Sequence, residues 1–196
     1  MLKCPQILKE KAYCTLIRPG LEYCAHIWDP HTLNDITKLE RIQHKSARFT
    51  ANIPFKRDNR ENQESGQTIT TRLGWEQLDK RRKDQRVTAI YKILNDLIAV
   101  PRHYLPRELP TTSRLSHNKR LPPPQTTTNI YKYSIIPRTI PDWNSLTRDA
   151  VNATTLTSFK RQIRKYPSDS DNDNIQYMST KECPTIPSEI TTLQSR

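Results

Sequence analysis

The sequence predicts a mainly α-helical protein, a small helical bundle with long Pro-rich extended loops, one short β or extended segment and a disordered acidic C-terminal tail. Three observations carry this. Apolar residues recur at helical spacing in four segments of the first 100 residues. Fifteen prolines against three glycines imply stiff connections and few tight turns. A hydrophobic fraction of 34% points to a modest core. The chain then divides into a helical region (1–100), a basic Pro-rich linker (101–128), an extended segment with a last helix (129–166) and the tail (167–196).

Gln6 to Arg18 reads as a helix broken by Pro19-Gly20, and Leu21 to Trp28 as a short apolar helix ended by Asp29-Pro30; together they suggest a buried hairpin. Thr32 is placed to cap a third helix, with Asp35 three residues on. Leu33, Ile36, Leu39, Ile42, Ala47 and Phe49 form its apolar face. Lys56 to Gly66 contains no apolar residue and reads as a mobile loop. A fourth helix runs from Trp75 to about Ile98, with Pro101 enforcing its end. Leu121-Pro-Pro-Pro124 should be extended polyproline, a stiff spacer or an SH3-type ligand. Asn129 to Ile136 reads as a strand or extended segment, and Pro141 as a stop to any helix there. Thr154 or Thr155 caps a last helix through Phe159 to Tyr166.

The net charge is +12 with a pI near 9.7, and it is segregated. From Pro167 onward five acidic residues oppose two basic ones, a net of −3, which leaves +15 on the first 166 residues. Such a body attracts polyanions. On the third helix Lys38, Arg41, Lys45 and Arg48 fall within roughly a quarter turn at ~100° per residue, forming a cationic ridge that fits either a solvated face or a phosphate backbone. On the fourth, Lys80, Arg81, Arg82, Lys83 and Arg86 put cations nearly all round its first half, so part of it should project into solvent or onto a nucleic acid. A nuclear-localisation role for the same run is compatible. Trp28, Trp75 and Trp143 are the candidate structural anchors; Trp143, between Ile140 and Leu146, suits a core better than a base-stacking site.

Catalysis and metal binding lack support in the pattern. There is no G-x-S-x-G elbow, phosphate-binding Gly loop or H-E-x-x-H pair, and the five histidines are scattered. Cys4, Cys14, Cys24 and Cys183 contain no C-x-x-C pair; Cys24, His26 and His31 are the one close trio, and reduced structural thiols are the simpler reading. The alternating carboxylates of Asp169 to Asp173 lie in a Ser/Asn/Asp stretch that reads as a solvated tail. No segment approaches the ~18 to 20 continuous apolar residues that cross a bilayer. Lys3, Lys9, Glu10 and Lys11 stand where a signal peptide needs an apolar run, so the expected location is intracellular, nucleus or cytoplasm.

The stretch Tyr133-Ser-Ile-Ile-Pro-Arg-Thr-Ile-Pro-Asp-Trp-Asn-Ser-Leu146 resembles a signature from the C-terminal, post-palm region of LINE-type (non-LTR, Jockey-like) retrotransposon reverse transcriptases. Lys11 to Thr32, including Leu16-Ile-Arg-Pro-Gly-Leu-Glu-Tyr-Cys24 and Trp28-Asp-Pro30, is similar to a second family stretch. Leu39 to Phe49, Leu73 to Arg82 and Tyr91-Lys-Ile93 follow in the family's order, so the resemblance covers about Leu8 to Tyr166. It implies a thumb-like region that helps hold template RNA and primer, with RNA, RNA–DNA hybrid or DNA as partner, Arg138 beside the Trp143 anchor, and possible docking to a palm. The family's polymerase centre needs an aromatic-x-Asp-Asp pair and a third Asp to hold two metal ions. This chain has no Asp-Asp dipeptide, so a truncated, catalytically inactive fragment is expected, any Mg belonging to the absent palm. The zinc knuckle that ends some of these proteins is also missing. A docking module for a separate palm and a non-functional product of a decayed element are the rival expectations.

Overall fold

The computed structural model describes residues 4–53, 64–108 and 117–165. The predicted acidic tail, Tyr166, and residues 56–63 of the polar loop lie outside them. The mainly helical expectation holds, and there is no strand among the described residues.

The N-terminal helix does not break at Pro19-Gly20. Helix α1 (Gln6–Ala12) passes into a π turn (Tyr13–Ile17) and then into α2 (Arg18–Glu22). A helical proline clashes with the carbonyl four residues back and lacks an N–H, and the wider π turn ahead of Pro19 accommodates both. Pro19 thereby occupies the second position of α2. The reversal falls at Tyr23-Cys24, where Cys24 adopts a left-handed conformation (φ 51°), before the single turn of α3 (Ala25–Trp28). Trp28 is 41% exposed and donates its indole N–H to the Tyr23 carbonyl, closing this corner; it is not the core anchor expected.

Helix α4 (Leu33–Thr50) begins at Thr32 as its sequence predicts, with the Thr32 hydroxyl accepting from the Asp35 N–H at 3.3 Å. Its buried face differs from the predicted one. Gln43, Ala47 and Thr50 are buried, Ile36 and Leu39 partly so, while Leu33 and Phe49 are 79% and 63% exposed. The inner face is small and polar because α5 (Gly66–Arg72) packs closely on it and because Gln43 donates to the Glu76 carbonyl at 2.9 Å. Trp75 precedes the next helix. Gly74, at φ 71°, turns the chain so that the Trp75 ring stacks on Tyr13 at 4.2 Å and its N–H reaches Glu10 at 3.1 Å. With Cys14, Ala47 and Ile69 these rings form a first core.

The second core surrounds α6 (Leu78–Leu94), which begins three residues later than Trp75 and ends before Ile98. Val87, Ile90, Tyr91 and Leu94 meet Ile140 and Trp143 of α8 (Ile135–Asn144), Val151 of α9 (Arg148–Val151), and Phe159 and Ile163 of α10 (Leu156–Lys165). The extended segment expected at Asn129 to Ile136 is instead helical: α7 (Asn129–Lys132), capped by Thr128, leads directly into α8. Pro137 sits in the first turn of α8, where its missing N–H is harmless, and Pro141 is carried inside it. Complete burial of Ile140 and Trp143 offsets the hydrogen bond that Pro141 removes. Thr155, of the two candidates, caps α10, accepting from the Ser158 N–H at 3.1 Å.

Residues of the predicted linker belong to this core. Leu105, His117 and Leu121 are buried. Asn144 clasps Leu121 by accepting from its N–H at 3.0 Å and donating to its carbonyl at 2.8 Å, while the Trp143 indole donates to the Lys119 carbonyl at 2.8 Å. The stretch before Pro122 is therefore a strap across α8, neither free spacer nor free ligand.

Candidate nucleic-acid interface

Helices α6 and α8 face each other across a charged layer that joins the two cores. Asp29, its side chain 2% exposed, lies at its centre. Arg82 Nε donates to Asp29 Oδ1 at 2.7 Å, Arg86 pairs with Oδ2, and Arg138 Nη2 approaches Oδ2 at 3.1 Å. Arg138 also donates to the carbonyls of Asp29 and Pro30 at 2.7 and 3.0 Å, tying α8 to the chain between α3 and α4. Asp142 takes Arg86 and Lys83, each at 3.1 Å. Burial works against the charged forms of Arg82, Arg86 and Arg138. Some guanidinium N–H groups of Arg82 and Arg86 lack a well-aligned acceptor among the described residues, and Asp29 Oδ2 is likewise held by ion pairing with Arg86 and Arg138 rather than by an aligned hydrogen bond.

This arrangement corrects the reading of the fourth helix. Its cations do not surround a projecting rod; all five are engaged by acids of the protein, two of them in its interior. Arg82 and Arg86 are buried, Arg81 is held by Glu22 and by Glu76 at 3.6 Å, Lys80 reaches Glu76 at 3.3 Å, and Lys83 and Arg138 are engaged as above. Periodicity shows the local acid Glu76 but not the rest, because Glu22, Asp29 and Asp142 come from distant segments.

The α4 ridge remains open. Arg41 and Lys45 are exposed with no acidic partner among the described residues, Lys38 is exposed and pairs with Asp35 at 2.8 Å, and Arg48 turns in to the Glu64 carbonyl. At ~100° per residue the ridge lies about half a turn from buried Gln43 and Ala47, so it points away from the protein body. The basic residues that the sequence places on the last helix, outside the expected interface, form a second cationic face. Lys160, Arg161, Arg164 and Lys165 are exposed on α10, opposite its buried Phe159 and Ile163. The Leu156, Phe159, Ile163 spacing was the signal that would have singled it out.

Among the described residues no group of three or more His, Cys, Asp or Glu side chains could hold a metal ion, and no helix is long and apolar enough to cross a membrane. Trp143 is wholly buried and Trp75 nearly so, each with its indole N–H bonded. None of the protein-family models, curated proteins or solved structures compared with this chain matches it.

Proposed function

We propose that this chain binds the phosphate backbone of RNA or an RNA–DNA hybrid through the α4 ridge, with the α10 face as an auxiliary surface. The carrying observation is selective: the protein neutralises its interior arginines with Asp29 and Asp142 but leaves Arg41 and Lys45 exposed and unopposed among the described residues. Periodic cations on one helix face suit a polyanion and confer little sequence preference. The resemblance to the post-palm region of LINE-type reverse transcriptases supports the same reading, in which copying of RNA into DNA and its Mg belong to a palm outside these residues and this region steadies template and primer.

Titration of labelled RNA and RNA–DNA hybrid at several salt concentrations tests it. The expected result is a steep loss of affinity with salt, shallower after Arg41→Ala and Lys45→Ala; a flat salt response would overturn the reading. A second reading, docking to a separate palm, draws on Leu16, Tyr23 and Ile27, which are 78%, 76% and 72% exposed at the N-terminal corner. Binding that is insensitive to salt but lost on Leu16→Ser would favour it.

A further inference from the structure

We infer that the exposed His31–Tyr133 ring pair is a base-stacking platform that selects single-stranded RNA at the N-terminal end of the α4 ridge. This rests on the phosphate-binding reading and adds to it the strandedness of the ligand.

The two rings come from opposite parts of the chain, His31 just before α4 and Tyr133 at the end of α7, yet lie 3.9 Å apart between centroids and within 11° of parallel. Both are exposed, Tyr133 at 38%, and neither belongs to either core. The Trp75–Tyr13 and Tyr91–Phe159 stacks, by contrast, are buried and packed. Tyr133 is covered by His31 on one face and lies under the Lys132 ammonium on the other, so the open face of the pair is the outer face of His31, which Tyr133 holds in place, and every nucleobase has a complementary face.

Cations adjoin the pair. The Lys132 ammonium stands 5.5 Å from the Tyr133 ring centroid. On the other side, His31 directly precedes Thr32, whose hydroxyl bonds Asp35 at 2.6 Å, and Asp35 pairs with Lys38, the first cation of the ridge, at 2.8 Å. From Lys38 to Arg48 the ridge runs about 15 Å along α4 at 1.5 Å per residue. A strand whose phosphates follow the ridge would bring a base to the platform at its end. In a duplex the base faces are already stacked on one another and closed to such a platform, whereas an unpaired strand exposes them.

The test uses the full chain and a ten-nucleotide RNA carrying 2-aminopurine, with a blunt RNA–DNA hybrid of the same length as the second probe. Tyr133→Ala should weaken single-strand binding at least ~5-fold and abolish quenching of the 2-aminopurine fluorescence, while Tyr133→Phe retains both. Hybrid binding and the salt slope should be unchanged in both variants, and His31→Ala should reproduce the single-strand loss if Tyr133→Ala proves poorly folded. Equal affinity of wild type and Tyr133→Ala for the single strand, with the salt slope intact, overturns the platform and leaves phosphate binding standing. A slope that does not respond to Arg41→Ala overturns the phosphate reading itself. An equal loss for hybrid and single strand also overturns the proposed selectivity.

Discussion

Asp29 Oδ1 accepts from Arg82 Nε at 2.7 Å in a site where the two side chains are 2% and 0% exposed. Arg86 and Arg138 share the same carboxylate. Removing its charge would take the main acceptor from buried Arg82 and leave Arg86 to Asp142 and Arg138 to the backbone carbonyls, and breaking a buried pair from one side costs about 3–5 kcal/mol. Asp29→Asn should therefore lower stability by about that amount in a urea or thermal melt. Asp29→Glu, which keeps the charge but lengthens the arm, should lose less. Equal losses would mean that fit, and not charge, governs the layer.

Asp84 on α6 is the group most perturbed within the usual titration range. Burial, with the Glu76 carboxylate as the next cause, raises it from 3.8 to about 6; Lys80, Arg164 and Arg81 pull the other way. Between pH 3.8 and 6 the folded chain holds a proton that the unfolded chain has released, so this group destabilises the fold progressively as pH rises through that window. Asp84→Asn removes the penalty. The variant should be more stable than wild type at pH 7, by of order 2 kcal/mol, and the difference should vanish below pH 4. Parallel denaturant melts at the two pH values would show it; a difference independent of pH would assign the gain to packing.

The helices of the first 50 residues, α6 and α10 were legible in the sequence; α5, α7, α8 and α9, the helix faces and the charge destinations were not. The Thr32 cap placed the start of α4 correctly because a capping hydroxyl and its partner lie three residues apart. The buried face of α4 was misread because Gln43 and Thr50 occupy it, and their burial depends on α5 and the chain at Glu76, which local periodicity cannot see. Pro19, Pro137 and Pro141 were given more breaking power than they exert. Each lies where a π turn, a helix start or a deeply buried neighbouring tryptophan absorbs the missing hydrogen bond. Of the predicted interface, the α4 cations are open and the α6 cations are spent, a distinction set by acids many residues away.

Two glycines in helices should respond in opposite directions to alanine. A Cβ on Gly66 would stand 2.5 Å from both Cβ and Cγ of His44, atoms fixed close to the α4 backbone, so α4 and α5 would have to separate. Gly66→Ala should cost about 1–3 kcal/mol. Gly20 lies in α2 with nothing within 4 Å of an added Cβ, so Gly20→Ala should stabilise by about 0.5–1 kcal/mol through helix propensity. Melting temperatures of the pair check the close α4–α5 approach with the same substitution as its own control.

Asn144 holds Leu121 with both of its amide groups and, with the bond from the Trp143 indole to the Lys119 carbonyl, fastens the strap over Trp143. Asn144→Ala leaves a partly buried N–H and carbonyl without these partners, for a loss of about 1–3 kcal/mol. Asn144→Asp can still accept from the Leu121 N–H but no longer donates to its carbonyl, so it should fall between. If both variants melt with wild type, the burial of Leu121 and the Trp143–Lys119 bond secure the strap without Asn144.

The division between spent and open cations makes the sharpest contrast. Arg41→Ala and Lys45→Ala remove exposed charges with no acidic partner among the described residues, so stability should move by less than ~0.5 kcal/mol. Each should nonetheless reduce the salt dependence of RNA binding by about 0.7 in log–log slope, the share of one phosphate contact on a single strand. Arg82→Ala should do the reverse, because its guanidinium is sealed against Asp29: the melting temperature falls, and the slope measured on whatever remains folded is unchanged. Were Arg82→Ala to reduce the slope while the fold held, the charged layer would have to open onto the nucleic acid, and the assignment of the interface to α4 would be wrong.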